Sequence, residues 1–104
     1  MRRKNIMKHV FYIDSLRDSY SLDPAALDPA RYEFKVSTDA DDIFRVMNVV
    51  DGNPEVELPL KLRCRSMSVG DVYIEGDVAF FCASCGWEEI RGSFVQALVA
   101  KVPS

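Results

Sequence analysis

The chain has 104 residues, of which 48% are hydrophobic and 28% charged, and a formal net charge of −3. That is the composition of one ordinary globular domain, not of a disordered chain. A chain of this size buries only about two-thirds of its unfolded surface, so the core is thin and leaves little room for a deep catalytic cleft. No apolar run approaches the ~18 residues of a membrane span.

Charge is spread unevenly. Arg2, Arg3, Lys4 and Lys8 supply 4 of the 13 basic residues, and all 16 acids come later. Residues 1–8 therefore read as a basic, flexible leader, and residues 9–104 as a single domain with an acidic body. Such a body does not suit a general DNA binder. Lys8, His9 and Asp14 interrupt what would be the apolar region of a signal peptide. Three cysteines without an export signal point to a reducing, cytoplasmic compartment rather than a disulfide framework.

His9 to Ile13 is aromatic and β-branched and reads as a first strand. The segment that follows carries Asp23-Pro24 and Asp28-Pro29, both turn formers, and allows at most a turn of helix near Leu16, Tyr20 and Leu22. Arg31 to Val36 alternates, which predicts a half-buried strand with Tyr32, Phe34 and Val36 on one face. Residues 39–50 carry the best helix signal. Thr38 and Asp41 resemble a capping box, and Asp39, Asp41 and Asp42 suit the positive end of the helix dipole. Ile43, Val46, Met47 and Val50 form an apolar stripe, which Gly52 and Pro54 end. The acidic cluster is explained by the dipole without a ligand.

Val56 to Cys64 alternates again, with Pro59 confining any strand there to an edge. Lys61, Arg63 and Arg65 would form a basic row along it, a guard against stray strand pairing or a contact for an acidic partner or a phosphate. Residues 71–74 and 78–83 read as a hairpin turned at Glu75-Gly76-Asp77. The residues from 91 onward predict a short C-terminal helix capped by Ser93, with Phe94, Leu98 and Val102 on one side and Lys101 in its last turn.

The stretch FFCASCGWEEI, residues 80–90, raises the one question of chemistry. A structural zinc needs four ligands. The chain offers Cys82, Cys85, Cys64 and its single histidine, His9, with no spare. A redox dithiol belongs at a helix N-terminus, whereas Glu88 and Glu89 follow this pair and would oppose a thiolate. The remaining reading is that these cysteines are small apolar residues. No phosphate loop, dinucleotide fingerprint or zinc-protease motif occurs. His9 has no relay partner beside it in sequence, so the expectation is a non-enzymatic protein without cofactor. Trp87 and the Phe80–Phe81 pair read as core before they read as a base-stacking platform.

DSLRDSYSLDPAALDPARYEFKV, DDIFRVMN, RSMSVGDVYIEG and FFCASCGWEEI stand in an order that resembles the YodL-like domain family, small proteins or modules of conjugative elements, plasmids and phages. The resemblance spans about residues 12–90 and is most specific at Ser66, Ser68, Val69, Asp71, Ser84, Gly86 and Trp87. It implies packing roles for Cys82 and Cys85. Ala83 departs from the pattern, where an acid is usual, so a role for that acid does not carry over. The resemblance implies no particular reaction, only a setting where proteins meet host defence or plasmid-maintenance machinery.

The sequence thus predicts an α+β fold. About four mostly antiparallel strands pack on one central helix, with a short C-terminal helix beside them. The expected function is a small protein-interaction module of a mobile element or phage, one that binds and inhibits a host or competitor protein. Lys61, Arg63, Arg65, Ser68, Asp71 and Trp87 are its candidate contacts, although turn geometry alone explains Ser68 and Asp71. A nucleic-acid-binding accessory protein using the basic row is one alternative, and a zinc protein centred on Cys82 and Cys85 is the other. No membrane contact is expected, and the sequence leaves the oligomeric state open.

Overall fold

The computed structural model describes residues 6–48 and 65–103. Its framework is an antiparallel sheet of five strands: β1 (Lys8–Ile13), β2 (Tyr32–Thr38), β3 (Val72–Glu75), β4 (Val78–Ala83) and β5 (Gly86–Ile90). They lie in the order β2-β1-β3-β4-β5. The last three form a meander through two-residue turns, Gly76-Asp77 and Ser84-Cys85. Among the described residues two short helices accompany the sheet, α1 (Ile43–Val46) and α2 (Ser93–Val99). The architecture is α+β, as expected, and no helix among the described residues is long and apolar enough to cross a membrane.

Alternation along the strands sorts side chains onto two faces. One face carries Phe11, Ile13, Val72, Ile74, Ala79 and Phe81, and α2 lays Phe94, Val95 and Leu98 across it. Burying a residue such as Leu98, with no exposed surface, stabilises the fold by about 1.5–3 kcal/mol. On the other face Val10 and Tyr12 meet Ile43, Met47 and Met67. The sheet is therefore covered on both sides.

Several details differ from the sequence expectation. The central helix over 39–50 is a single described turn, with Val50 outside the described residues. Thr38 still belongs to β2, and its hydroxyl accepts from the Ala40 amide at 3.2 Å. Asp42 is the N-cap instead, its carboxylate accepting from the Arg45 amide at 3.1 Å. Asp39 and Asp41 thus precede the helix. The better-formed buried helix is α2, whose cap is Gly92, not Ser93.

β2 does not keep one face. The register runs from Val10↔Val36 to Phe11↔Phe34, so Lys35 is an extra residue, a β-bulge. Phe34 packs on the α2 face, and Val36 is switched to the α1 face. The fifth strand, β5, was absent from the expectation. Lys8, assigned to the leader, opens β1 and is buried.

The connector between β1 and β2 folds as three short 3-10 turns, Ser19–Ser21, Pro24–Ala26 and Pro29–Arg31. Asp23 and Asp28 cap the last two, each accepting at 2.9 Å from the amide two residues on, with proline at the first helical position. Arg31 clamps this connector to Asp18 and Asp14. Lys101, just past α2, donates to the carbonyls of Pro29 and Tyr32 at 2.6 and 2.8 Å, tying the chain end to the same connector.

Candidate functional site

Among the described residues the most specific polar geometry is internal. Asp71, just before β3, is fully buried. Its carboxylate accepts from the Ile13 amide at 2.9 Å and the Ser68 amide at 2.8 Å. It also takes a two-pronged contact from Arg65, at 2.6 and 2.7 Å. The same guanidinium donates to the carbonyls of Ser66 and Ile13 and lies 4.3 Å from the Tyr12 ring centre. Planar, two-pronged pairing is what arginine does best with a buried carboxylate.

The backbone around Asp71 is bound as well. Its amide closes a turn to the Ser68 carbonyl, and its carbonyl accepts from the Cys82 amide at 2.8 Å. Gly70 donates to the Cys82 carbonyl and accepts from the Tyr32 hydroxyl at 2.7 Å. Burial, with the nearby Asp71 charge adding to it, holds the Tyr32 hydroxyl well above the usual phenol range.

Of the candidate partner contacts, Asp71, Ser68 and Arg65 thus meet in this knot. The Asp71 side chain has no surface to offer a partner. Arg65 turns its guanidinium to Asp71 instead of along an exposed edge. Lys61 and Arg63, with the 56–64 strand expected to carry them, lie outside the described residues, as does Cys64.

The cysteine motif is a hairpin. Cys82 sits in β4, Ser84-Cys85 make the turn, and Gly86 takes a positive φ of 93° as β5 begins. Cys82 is buried and Cys85 exposed. Burial, reinforced by Asp71, pushes the Cys82 thiol up to about 11, which disfavours a thiolate. His9 pairs with Ser37 at 2.7 Å, on the same face as Phe11. Cys82 points to the opposite face, two strands or about 10 Å away. The sheet therefore separates His9 from Cys82. Among the described residues no group of three or more potential ligands could hold a metal ion.

What reaches the surface is the outer end of the sheet. Cys82 uses its amide and carbonyl toward β3, so by antiparallel alternation Phe81 and Ala83 use theirs toward β5. Their partners Glu88 and Gly86 face inward, and the amides and carbonyls of Trp87 and Glu89 face out. Gly86 to Glu89 are all exposed.

Trp87 stands on the α1 face. Its ring meets Tyr73 edge-on at 5.0 Å and Phe44 of α1 at 6.3 Å, and Tyr73 stacks on Phe80 at 4.9 Å. Trp87 is 37% and Phe44 44% exposed. Trp87 is thus neither core nor isolated, but the half-exposed ring that links Phe44 to Tyr73 and Phe80. On the other side of β5, Glu88, Glu89, Ile90 and Arg91 border a cavity of about 510 Å³ whose far wall includes Asp23, Pro24 and Leu27. Sequence reading missed Phe44, Tyr73, Glu88 and Glu89 here. The available signal was that Ser84-Cys85-Gly86 can turn a hairpin, which makes the next five residues a strand. Comparisons with protein-family models, with curated proteins and with solved structures give no match to this chain.

Proposed function

We propose that this chain is a small protein-binding module that acts by docking a partner on the β5 end of its sheet, around Trp87. The observation that carries this reading is the ring cluster of Phe44, Trp87, Tyr73 and Phe80, whose two outer members are partly exposed beside a strand that no other described strand covers. Tryptophan is among the residues that most often dominate binding energy, because a large rigid ring buries much surface at little entropic cost. The YodL-like resemblance supports a mobile-element setting, where binding and inhibiting a host or competitor protein is a natural use for such a module. Arg65, the one described member of the basic row, is held by a buried carboxylate, so no described feature favours the nucleic-acid alternative.

The test is affinity capture from a bacterial lysate with tagged wild-type protein and with Trp87→Ser, each with and without nuclease. A stoichiometric protein that resists nuclease and is lost with Trp87→Ser supports the reading. Capture that disappears with nuclease, or that Trp87→Ser leaves intact, overturns it.

A further inference from the structure

Resting on that reading, we infer that β5 captures its partner by strand addition, and that the added strand is an extended segment alternating apolar and basic residues. The two edges of the sheet differ. At the β2 edge the Lys35 bulge interrupts the strand, and Lys35 and Glu33 pair at 3.4 Å. Bulges and lysines are common devices that block edge pairing. β5 has no bulge, proline or lysine, and among the described residues no strand pairs with its outer side. It presents the amides and carbonyls of Trp87 and Glu89, the alternating pattern an antiparallel strand needs.

Charge selects the occupant. Asp23, Asp77, Glu88 and Glu89 surround this edge, against the guanidinium of Arg91 among the described residues that line its two cavities. Arg91 reaches Glu89 at 3.2 Å and Asp77 at 3.8 Å, and Glu88 has no such cation in contact among the described residues. A second copy of the chain, added by two-fold symmetry about Glu88, would set carboxylate against carboxylate. A partner lysine or arginine opposite Glu88 meets it in a close non-hydrogen-bonded pair and projects into the cavity that Asp23 borders. The partner residues on either side of that basic one fall on the opposite face, where an apolar side chain covers Trp87.

The test uses short fluorescent peptides alternating valine and lysine, with two controls. One control replaces lysine by glutamate, and the other is N-methylated on the edge-facing amides. Binding is read by anisotropy against wild type, Glu89→Pro and Glu89→Gln. Glu89→Pro removes an amide hydrogen that points outward and that no described strand uses, and circular dichroism checks that the fold is kept. The expected result is at least a tenfold preference for lysine over glutamate. N-methylation and Glu89→Pro should each lose at least tenfold, and Glu89→Gln clearly less than Glu89→Pro.

Equal binding of the N-methylated peptide overturns strand addition, even if Glu89→Pro fails to fold. Equal binding of the glutamate peptide overturns the basic partner. No binding by any peptide overturns this inference, and the interaction module itself survives if Trp87-dependent capture persists. Concentration-dependent dimerisation that Glu89→Pro abolishes would make the occupant a second copy and likewise overturns it.

Discussion

Asp71→Ala should remove most of the stability of this domain. The carboxylate has no exposed surface and receives hydrogen bonds from two backbone amides and from two prongs of one guanidinium. Removing it orphans the Ile13 and Ser68 amides, and a buried donor left without a partner costs about 1–3 kcal/mol. Arg65 is a third exposed, so it can turn partly toward water, and its share is discounted accordingly. The total comes to about 4 kcal/mol, against about 5–15 kcal/mol for a whole single domain. For a chain of this length that lowers the melting temperature by about 20 °C.

Arg65→Met should cost about 3 kcal/mol, because it strands a buried charge that keeps only its amide partners. The double variant should melt close to Asp71→Ala alone, since the arginine has little left to pair with, giving a coupling of about 3 kcal/mol. Thermal and urea unfolding followed by circular dichroism at neutral pH read all three. An Asp71→Ala protein melting within about 5 °C of wild type, or single costs that simply add, would refute the reasoning.

Gly70→Ala should destabilise more than Gly86→Ala. Both glycines hold positive φ, but a Cβ at Gly70 would meet Ser19 and Leu22 at 3.1 and 3.3 Å, whereas none is met at Gly86. The expected costs are about 3 and about 1.5 kcal/mol, read from urea midpoints. Trp87→Ser and Phe44→Ser should each cost about 2 kcal/mol, well below Asp71→Ala, because each ring is more than half buried, and Trp87→Ser should abolish capture by a protein that circular dichroism shows folded. Alkylation followed by peptide mass spectrometry should find Cys85 modified quickly in the native protein and Cys82 only on unfolding. The Cys82 thiol, held up to about 11 when folded and near 9 when exposed, adds stability that is fully present below pH 9 and lost as pH rises toward 11. The fall in urea midpoint between pH 8 and pH 10.5 should therefore be shallower in Cys82→Ala.

Legibility of the sequence followed the locality of the signals. β1 and β4 were readable because Val10 to Ile13 and Val78 to Ala83 are runs of strong β formers, and the Gly76 turn fixed the hairpin between β3 and β4. α2 was readable from Phe94 and Leu98. β5 was not, because Glu88 and Glu89 lack strand propensity and its one large ring, Trp87, invites a core assignment. Its strand character comes from pairing with β4, a contact that propensity does not encode. The Lys35 bulge escaped for a related reason. Arg31 to Val36 alternates cleanly, and only the register against β1 reveals that one residue is extra. The helix over 39–50 was overextended because three aspartates look alike in sequence, and local geometry makes only Asp42 the cap.

The polar knot and the outer edge of β5 are joined by one hydrogen bond in a way that separates their roles. The Asp71 carbonyl holds the Cys82 amide, which sets which backbone groups of β4 face β3 and which face β5. That choice passes through the Phe81↔Glu88 pairing and decides that Trp87 and Glu89, not Glu88, turn their amides outward. A one-residue slip at Cys82 would turn the Glu88 amide to the outer edge and send the Trp87 ring to the other side of the sheet. Arg65, Ser68 and Asp71 therefore bear on recognition only by fixing this register, while Trp87, Glu88 and Glu89 touch the partner and bear less on stability. Substitutions in the first set should act on unfolding, and those in the second on binding. A variant such as Glu89→Pro, which keeps the fold and loses the partner, would separate the two roles in a single protein.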